Sequence, residues 1–174
     1  MTSACAAAPR LDELERQARE AGLLLRLKVG RPLRLWSLHL VVAQPAQGGG
    51  HRWLGEMKGW AYPASAGLQL DTMRVTPSAP AGVGDLIWSA TMAWALEMTP
   101  CRSARLLAIR DDDRQHQRLL RYFRRLGFES IRPVEAALWD LPLRLVWGGA
   151  GMLMTGDCAK VQAISQRRWR QSAA

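Results

Sequence analysis

Ala81-Gly82-Val83-Gly84-Asp85 follows an extended segment and opens an apolar-periodic run that ends near Glu97. Backbone N–H groups that begin a helix have no intrahelical acceptor, and together with the helix dipole they stabilise the oxygens of a phosphate. Gly82 and Gly84 would let the backbone approach such a group without a Cβ in the way. The same residues also read as a plain strand-to-helix turn with Asp85 as the cap, which needs no ligand. A second pattern is cationic. Arg114, Arg118, Arg121 and Arg125 recur at i, i+4, i+7 and i+11, one helical face opposite Leu119, Leu120, Phe123 and Leu126. Gln166 to Arg170 adds three arginines around Trp169, an aromatic able to stack on a base or sit among lipid headgroups. These stretches suit an anionic partner, or they are a solvated helix face and a tail.

Other reactive types are sparse. His39 reads as a strand residue, His51 as a loop residue and His116 as part of an exposed helix face, with no spacing for a metal or a Ser-His-Asp arrangement. The 3 cysteines, Cys5, Cys101 and Cys158, have no CxxC spacing and fit reduced thiols of a cytoplasmic protein. Cys101, just after Pro100, reads as a semi-buried thiol rather than a nucleophile. The net charge of +9, from 24 basic and 15 acidic residues, favours nucleic acid, an acidic protein, an anionic membrane surface or a phosphorylated cofactor. No apolar run reaches the roughly 18 residues of a membrane span, and the N-terminus lacks the features of a secretory signal. The 8 tryptophans are dispersed and read as core or strand-edge aromatics.

The elements that must position these residues follow from periodicity. Leu11, Leu14, Ala18 and Ala21 predict a first helix ended by Gly22. Residues 23–29 and 33–43 alternate about a Gly-Arg-Pro turn and predict a hairpin. A glycine loop then leads to a third strand in 52–64, and Leu68 to Val75 predict a fourth. A helix from Asp85 is stopped by Pro100. Arg105 to Ile109 predict a short buried strand, and residues 111–127 a helix with acids first and arginines last, as the dipole favours. Residues 128–133, 136–147 and 151–157 supply further strands. The expected organisation is a tail over 1–10, a single domain over 11–160 and a basic tail over 161–174, of mixed α/β (α+β) class.

The order of strand Leu68–Val75, glycine turn, helix, strand Arg105–Ile109 and helix closing on Arg124-Arg125-Leu126-Gly127-Phe128-Glu129 resembles the central half of the GNAT superfamily of N-acyltransferases, over roughly residues 68–130. The resemblance implies a twisted mixed sheet of six or seven strands with flanking helices, here without the usual helix pair between the first two strands. It implies acetyl-coenzyme A held between two splayed parallel strands. Pantetheine would pair with Met73, Arg74 and Val75, and the pyrophosphate would sit on Gly82, Val83, Gly84, Asp85 and Leu86. An amine would attack the thioester directly, with Asp71 or Glu56 as base.

Departures from the family pattern imply weakened or lost activity. Ala79 stands where a Gln or Arg usually supports the phosphate, Pro80 removes an amide, and the Asp85 carboxylate would compete for the same donors. Phe123 occupies the place of the tyrosine thought to protonate the departing thiolate, and His116 that of a common asparagine. Tyr122 is adjacent, but one helical step turns a side chain by about 100°, so its use would require a register shift. The alternative is a non-catalytic binding or assembly factor whose Arg114–Arg125 face engages nucleic acid, an acidic protein or a membrane surface.

Overall fold

The computed structural model describes residues 8–110, 112–135 and 149–173. The first amphipathic stretch forms α1, Leu11–Glu20, with Leu14 and Ala18 buried and Gly22 in the left-handed region just beyond it. Strands β1 (Leu24–Gly30) and β2 (Trp36–Pro45) form the expected antiparallel hairpin, linked by a 3-10 turn over Pro32–Arg34. Strands β3 (His51–Ala61) and β4 (Leu68–Val75) continue the antiparallel meander.

The pattern then turns helical. Helix α2 spans Val83–Met98, starting two positions before the expected Asp85, and is nearly all buried, with Trp88 and Trp94 among the largest enclosed side chains. Strand β5 (Ser103–Ile109) runs parallel to β4, and α3 (Asp113–Arg125) follows, its first turn capped by the Asp112 carboxylate, which accepts from Gln115 N–H at 3.4 Å. Strands β6 (Phe128–Val134) and β7 (Gly151–Asp157) complete a seven-stranded sheet in the order β1-β2-β3-β4-β5-β7-β6. The expected strand in 136–147 lies outside the described residues.

One expectation fails. The basic tail of 161–174 is instead most of a helix, α4 (Cys158–Ala173), that buries Val161 and Trp169. Its arginines concealed a helical stripe of Cys158, Val161, Ser165 and Trp169, and the polar residues of that stripe are satisfied. Gln166 accepts from the Ser89 hydroxyl at 3.0 Å, while Gln166 Nε2 and Trp169 Nε1 both donate to Gln17 Oε1. Gln162 donates to the Pro9 carbonyl at 2.8 Å, so α4 ties α1, α2 and the start of the described chain together. Helices α1 to α4 share one core with the inward residues of β2 to β5. Among the described residues no helix is long and apolar enough to cross a membrane.

Candidate active site

Strands β4 and β5 pair only from Leu68 to Leu70, against Ala104 to Leu106. Beyond that point β4 continues to Val75 and β5 to Ile109 without a ladder between them. The cause is a β-bulge: Lys58 pairs with Thr72 and Gly59 with Leu70, leaving Asp71 as an extra residue that bends β4 away. The gap encloses about 320 Å³, walled by Asp71, Thr72, Met73 and Arg74 on one side and Leu107 and Ile109 on the other, with Trp88, Leu119 and Phe123 beneath. It is mostly apolar, with the unpaired strand edges as its hydrogen-bonding surface.

The start of α2 stands at the mouth of this cleft. Gly82 is the N-cap, with φ of 87°, and no side chain caps the helix. The Asp85 carboxylate therefore does not occupy the amides, contrary to the expectation from sequence. Leu86 N–H is used by the Gly82 carbonyl at 2.8 Å, and Val83 N–H lies 3.3 Å from the Pro80 carbonyl. The N–H groups of Gly84 and Asp85 have no partner among the described residues. Val83 and Leu86 put their side chains in the core.

The two glycines have different reasons. A Cβ on Gly82 would stand 2.7 Å from Ser172 Cβ and 3.0 Å from the Trp169 ring, so α4 demands glycine there as much as the positive φ does. A Cβ on Gly84 would meet only ordinary contacts, 3.6 Å from Met73 Cε and 3.9 Å from both Tyr122 Oη and Val75 Cγ2. Gly84 thus faces the cleft between β4 and α3, where its bare backbone leaves room.

Tyr122 reaches this point without any register shift. Trp88 Nε1 donates to its hydroxyl at 2.8 Å, drawing the phenol across to α2 while Phe123 lines the cleft. Trp88, Phe123 and Phe128 form an aromatic cluster with centroid spacings of 5.4 to 6.1 Å that seats both helices. Burial pushes the Tyr122 phenol up to about 12, against the lowering effect of the Trp88 hydrogen bond. Asp85 is half-buried, and desolvation raises its carboxyl although the Arg168 charge pulls it down. Arg168, from α4, donates to the Arg125 carbonyl at 3.0 Å and acts electrostatically on both Asp85 and Tyr122.

Of the two carboxylates expected as bases, the structure brings only Asp71 to the cleft. Glu56 lies on the sheet face, largely enclosed, bonded to His39 Nε2 at 2.8 Å and 3.5 Å from Lys58 Nζ. The His39 hydrogen bond, aided by Lys58, holds its carboxyl below the usual range. Met73 is half-buried in the cleft wall, and Arg74 and Val75 are exposed at its rim.

Arg114, Arg118, Arg121 and Arg125 are all exposed on α3, opposite the buried stripe of His116, Leu120 and Phe123. None has a carboxylate within ion-pair distance among the described residues. His116 is not on the exposed face as expected: its ring is buried, with Nδ1 3.3 Å from the Ile109 carbonyl. Cys101 is fully buried, with Sγ 3.5 Å from the Tyr62 carbonyl. Among the described residues no His, Cys, Asp and Glu cluster suits a metal ion.

Sequence reasoning missed Trp88, Arg168 and the His39–Glu56 pair. Trp88 was legible in part, since it follows Gly84 by four positions and shares its helix face. Arg168 and His39 meet their partners only through tertiary contact.

No protein-family model and no curated protein matches the sequence. Among solved structures, the chain is similar to nourseothricin acetyltransferase, with a TM-score of 0.50 and 15% identity over 80% of this chain and 92% of that one. A protein from Bacillus halodurans matches with a TM-score of 0.43 and 15% identity, over 79% of this chain and 65% of that one, too distant to carry an argument. At this identity the likeness is one of architecture. The chain has a mixed α/β, acetyltransferase-like fold, with a seven-stranded mixed sheet and, among the described residues, four helices.

Proposed function

We propose that this chain is a GNAT-like N-acyltransferase that uses acyl-coenzyme A and acetylates an amine. The observation that carries the reading is the divergence of β4 from β5 after Leu70, directly beside a helix start whose Gly84 and Asp85 amides have no partner among the described residues. Those two N–H groups fit a diphosphate, and the unpaired edge of Met73, Arg74 and Val75 fits the amides of a pantetheine arm. Arg168 would supply the positive charge that Ala79 lacks. When bound, the thioester supplies an activated acyl carbon; the amine forms the new C–N bond as the C–S bond breaks. Asp71, at the bulge, accepts the amine's proton directly or through one water. Tyr122 donates a hydrogen bond toward the departing sulfur. With a phenol near 12 against roughly 8.5 for an ordinary thiol, it stabilises by hydrogen bonding rather than by giving up its proton.

A second reading rests on the exposed arginine ridge of α3, which has no carboxylate within ion-pair distance among the described residues: a non-catalytic factor that binds a polyanion there. Thermal unfolding with acetyl-coenzyme A separates the two. The enzyme reading expects several degrees of stabilisation, abolished by Gly84→Glu. No response at millimolar acetyl-coenzyme A, together with salt-sensitive binding of a polyanion that Arg118→Glu weakens, would replace it with the second.

A further inference from the structure

The face of the sheet turned away from the helices carries a row of basic residues in strict register. Lys28 on β1 stands opposite His39 on β2, and His39 opposite Lys58 on β3. All three line one concavity of about 310 Å³, together with Ser37 and Leu38. Two positions along, Arg26 stands opposite Val41, Val41 opposite Glu56, and Glu56 opposite Arg74. Lys28 and Lys58 flank His39 from the two neighbouring strands, which concentrates positive charge and N–H donors on this face and suits an anionic ligand. Glu56 is the carboxylate within ion-pair distance of these residues among the described ones, and it already serves both His39 and Lys58. Among the described residues Lys28 and Arg74 have no acidic partner within ion-pair distance, and Arg26 donates to the neighbouring Leu25 carbonyl.

The row leads into the cleft. Lys58 faces Thr72 and Glu56 faces Arg74, and Thr72 and Arg74 both wall the gap beside Asp71. Adjacent strands are about 4.8 Å apart, so three successive strands spread the charges over roughly 10 Å. One phosphate cannot span that distance, and the donors in the concavity are point-like ammonium and imidazole groups rather than the forked guanidinium that clamps a phosphate.

We propose that this face binds a carboxylate-rich peptide segment as the acceptor, held by Lys28, His39 and Lys58 with its amine directed to Asp71. The proposal rests on the acyltransferase reading and names its acceptor class; polycationic amines are repelled along the same path.

The test is calorimetric titration, without acyl-coenzyme A, of a synthetic glutamate-rich peptide at low salt, beside its glutamine counterpart and inorganic tripolyphosphate. The glutamate peptide is expected to bind and the glutamine peptide not. Lys28→Gln and Lys58→Gln should each weaken binding by roughly tenfold, with a nearly unchanged melting temperature because both side chains are exposed, and the His39 ring resonances should move on titration. Arg118→Glu, on the other side of the fold, should change little. Absence of binding at millimolar peptide, equal loss in Arg118→Glu, or tighter binding of tripolyphosphate overturns the proposal. A missing response to acetyl-coenzyme A alongside intact peptide binding would sink the enzyme reading and leave the anion-binding site standing.

Discussion

The indole N–H of Trp88 donates to the Tyr122 hydroxyl at 2.8 Å, pinning the phenol of α3 against the start of α2. That bond turns the helical neighbour of Phe123 toward Gly84, and it leaves the phenol's own proton available. Tyr122→Phe keeps the ring but orphans the buried indole N–H, costing about 1 to 3 kcal/mol in urea unfolding. Thiol release from acetyl-coenzyme A should slow by roughly 10²-fold in kcat with little change in KM. Equal kcat in the variant would remove Tyr122 from the mechanism.

Alkaline pH should weaken the fold in two overlapping steps. Cys158 is raised by burial from 9.0 to about 12, and Tyr122 from 10.0 to about 12. Both groups hold their protons more tightly folded than unfolded. The stability they contribute is therefore complete below their unfolded values and is lost as pH rises through the folded ones. Unfolding free energy is expected to fall between pH 9 and 12, and Cys158→Ala should flatten the early part of that fall.

Gly82 and Gly84 should respond in opposite ways to alanine. Gly82→Ala drives a Cβ into Ser172 and Trp169 at a φ of 87° and is expected to lower stability by about 1 to 3 kcal/mol. Gly84→Ala finds room and replaces a first-turn helical glycine, gaining a few tenths of a kcal/mol, at most about 1. The same methyl narrows the cleft mouth, so binding of acetyl-coenzyme A should weaken while the melting temperature holds or rises.

Asp71 and Glu56 should separate by kinetic parameter. Asp71→Asn removes the carboxylate in the cleft and is expected to lower kcat by about 10²-fold. Glu56→Gln is expected to leave kcat within about twofold and to lower the KM for an acidic acceptor, because it removes the carboxylate that occupies His39 and Lys58. The reverse pattern would make Glu56 the base.

Truncation after Asp157 should abolish folding rather than trim a tail. α4 buries Trp169 against Gly82 and supplies the bonds of Gln162, Gln166 and Trp169 to Pro9, Ser89 and Gln17. Circular dichroism of the shortened chain is expected to show loss of cooperative melting, whereas a dispensable tail would leave the melting temperature unchanged.

Periodicity and turn chemistry are local, and they determined most of the elements: the hairpin of β1 and β2, the limits of β4, the α3 stripe and the glycine turn before α2 were all legible from neighbouring residues. The sign and extent of the arginine ridge were legible for the same reason. What tertiary structure decided depends on residues far apart in the chain. The cleft exists because a one-residue bulge at Asp71 bends β4 from β5, and register between strands is set by the partner strand. Asp85 is free of capping because Gly82 takes the N-cap under the pressure of Trp169 and Ser172, some 90 positions away. Tyr122 enters the site through Trp88, and Glu56 leaves it through His39, by hydrogen bonds that spacing along the chain does not encode. The charge of 161–174 masked a buried helix face, since a stripe of small and polar residues shows its burial only when its partners on α1 and α2 are in place.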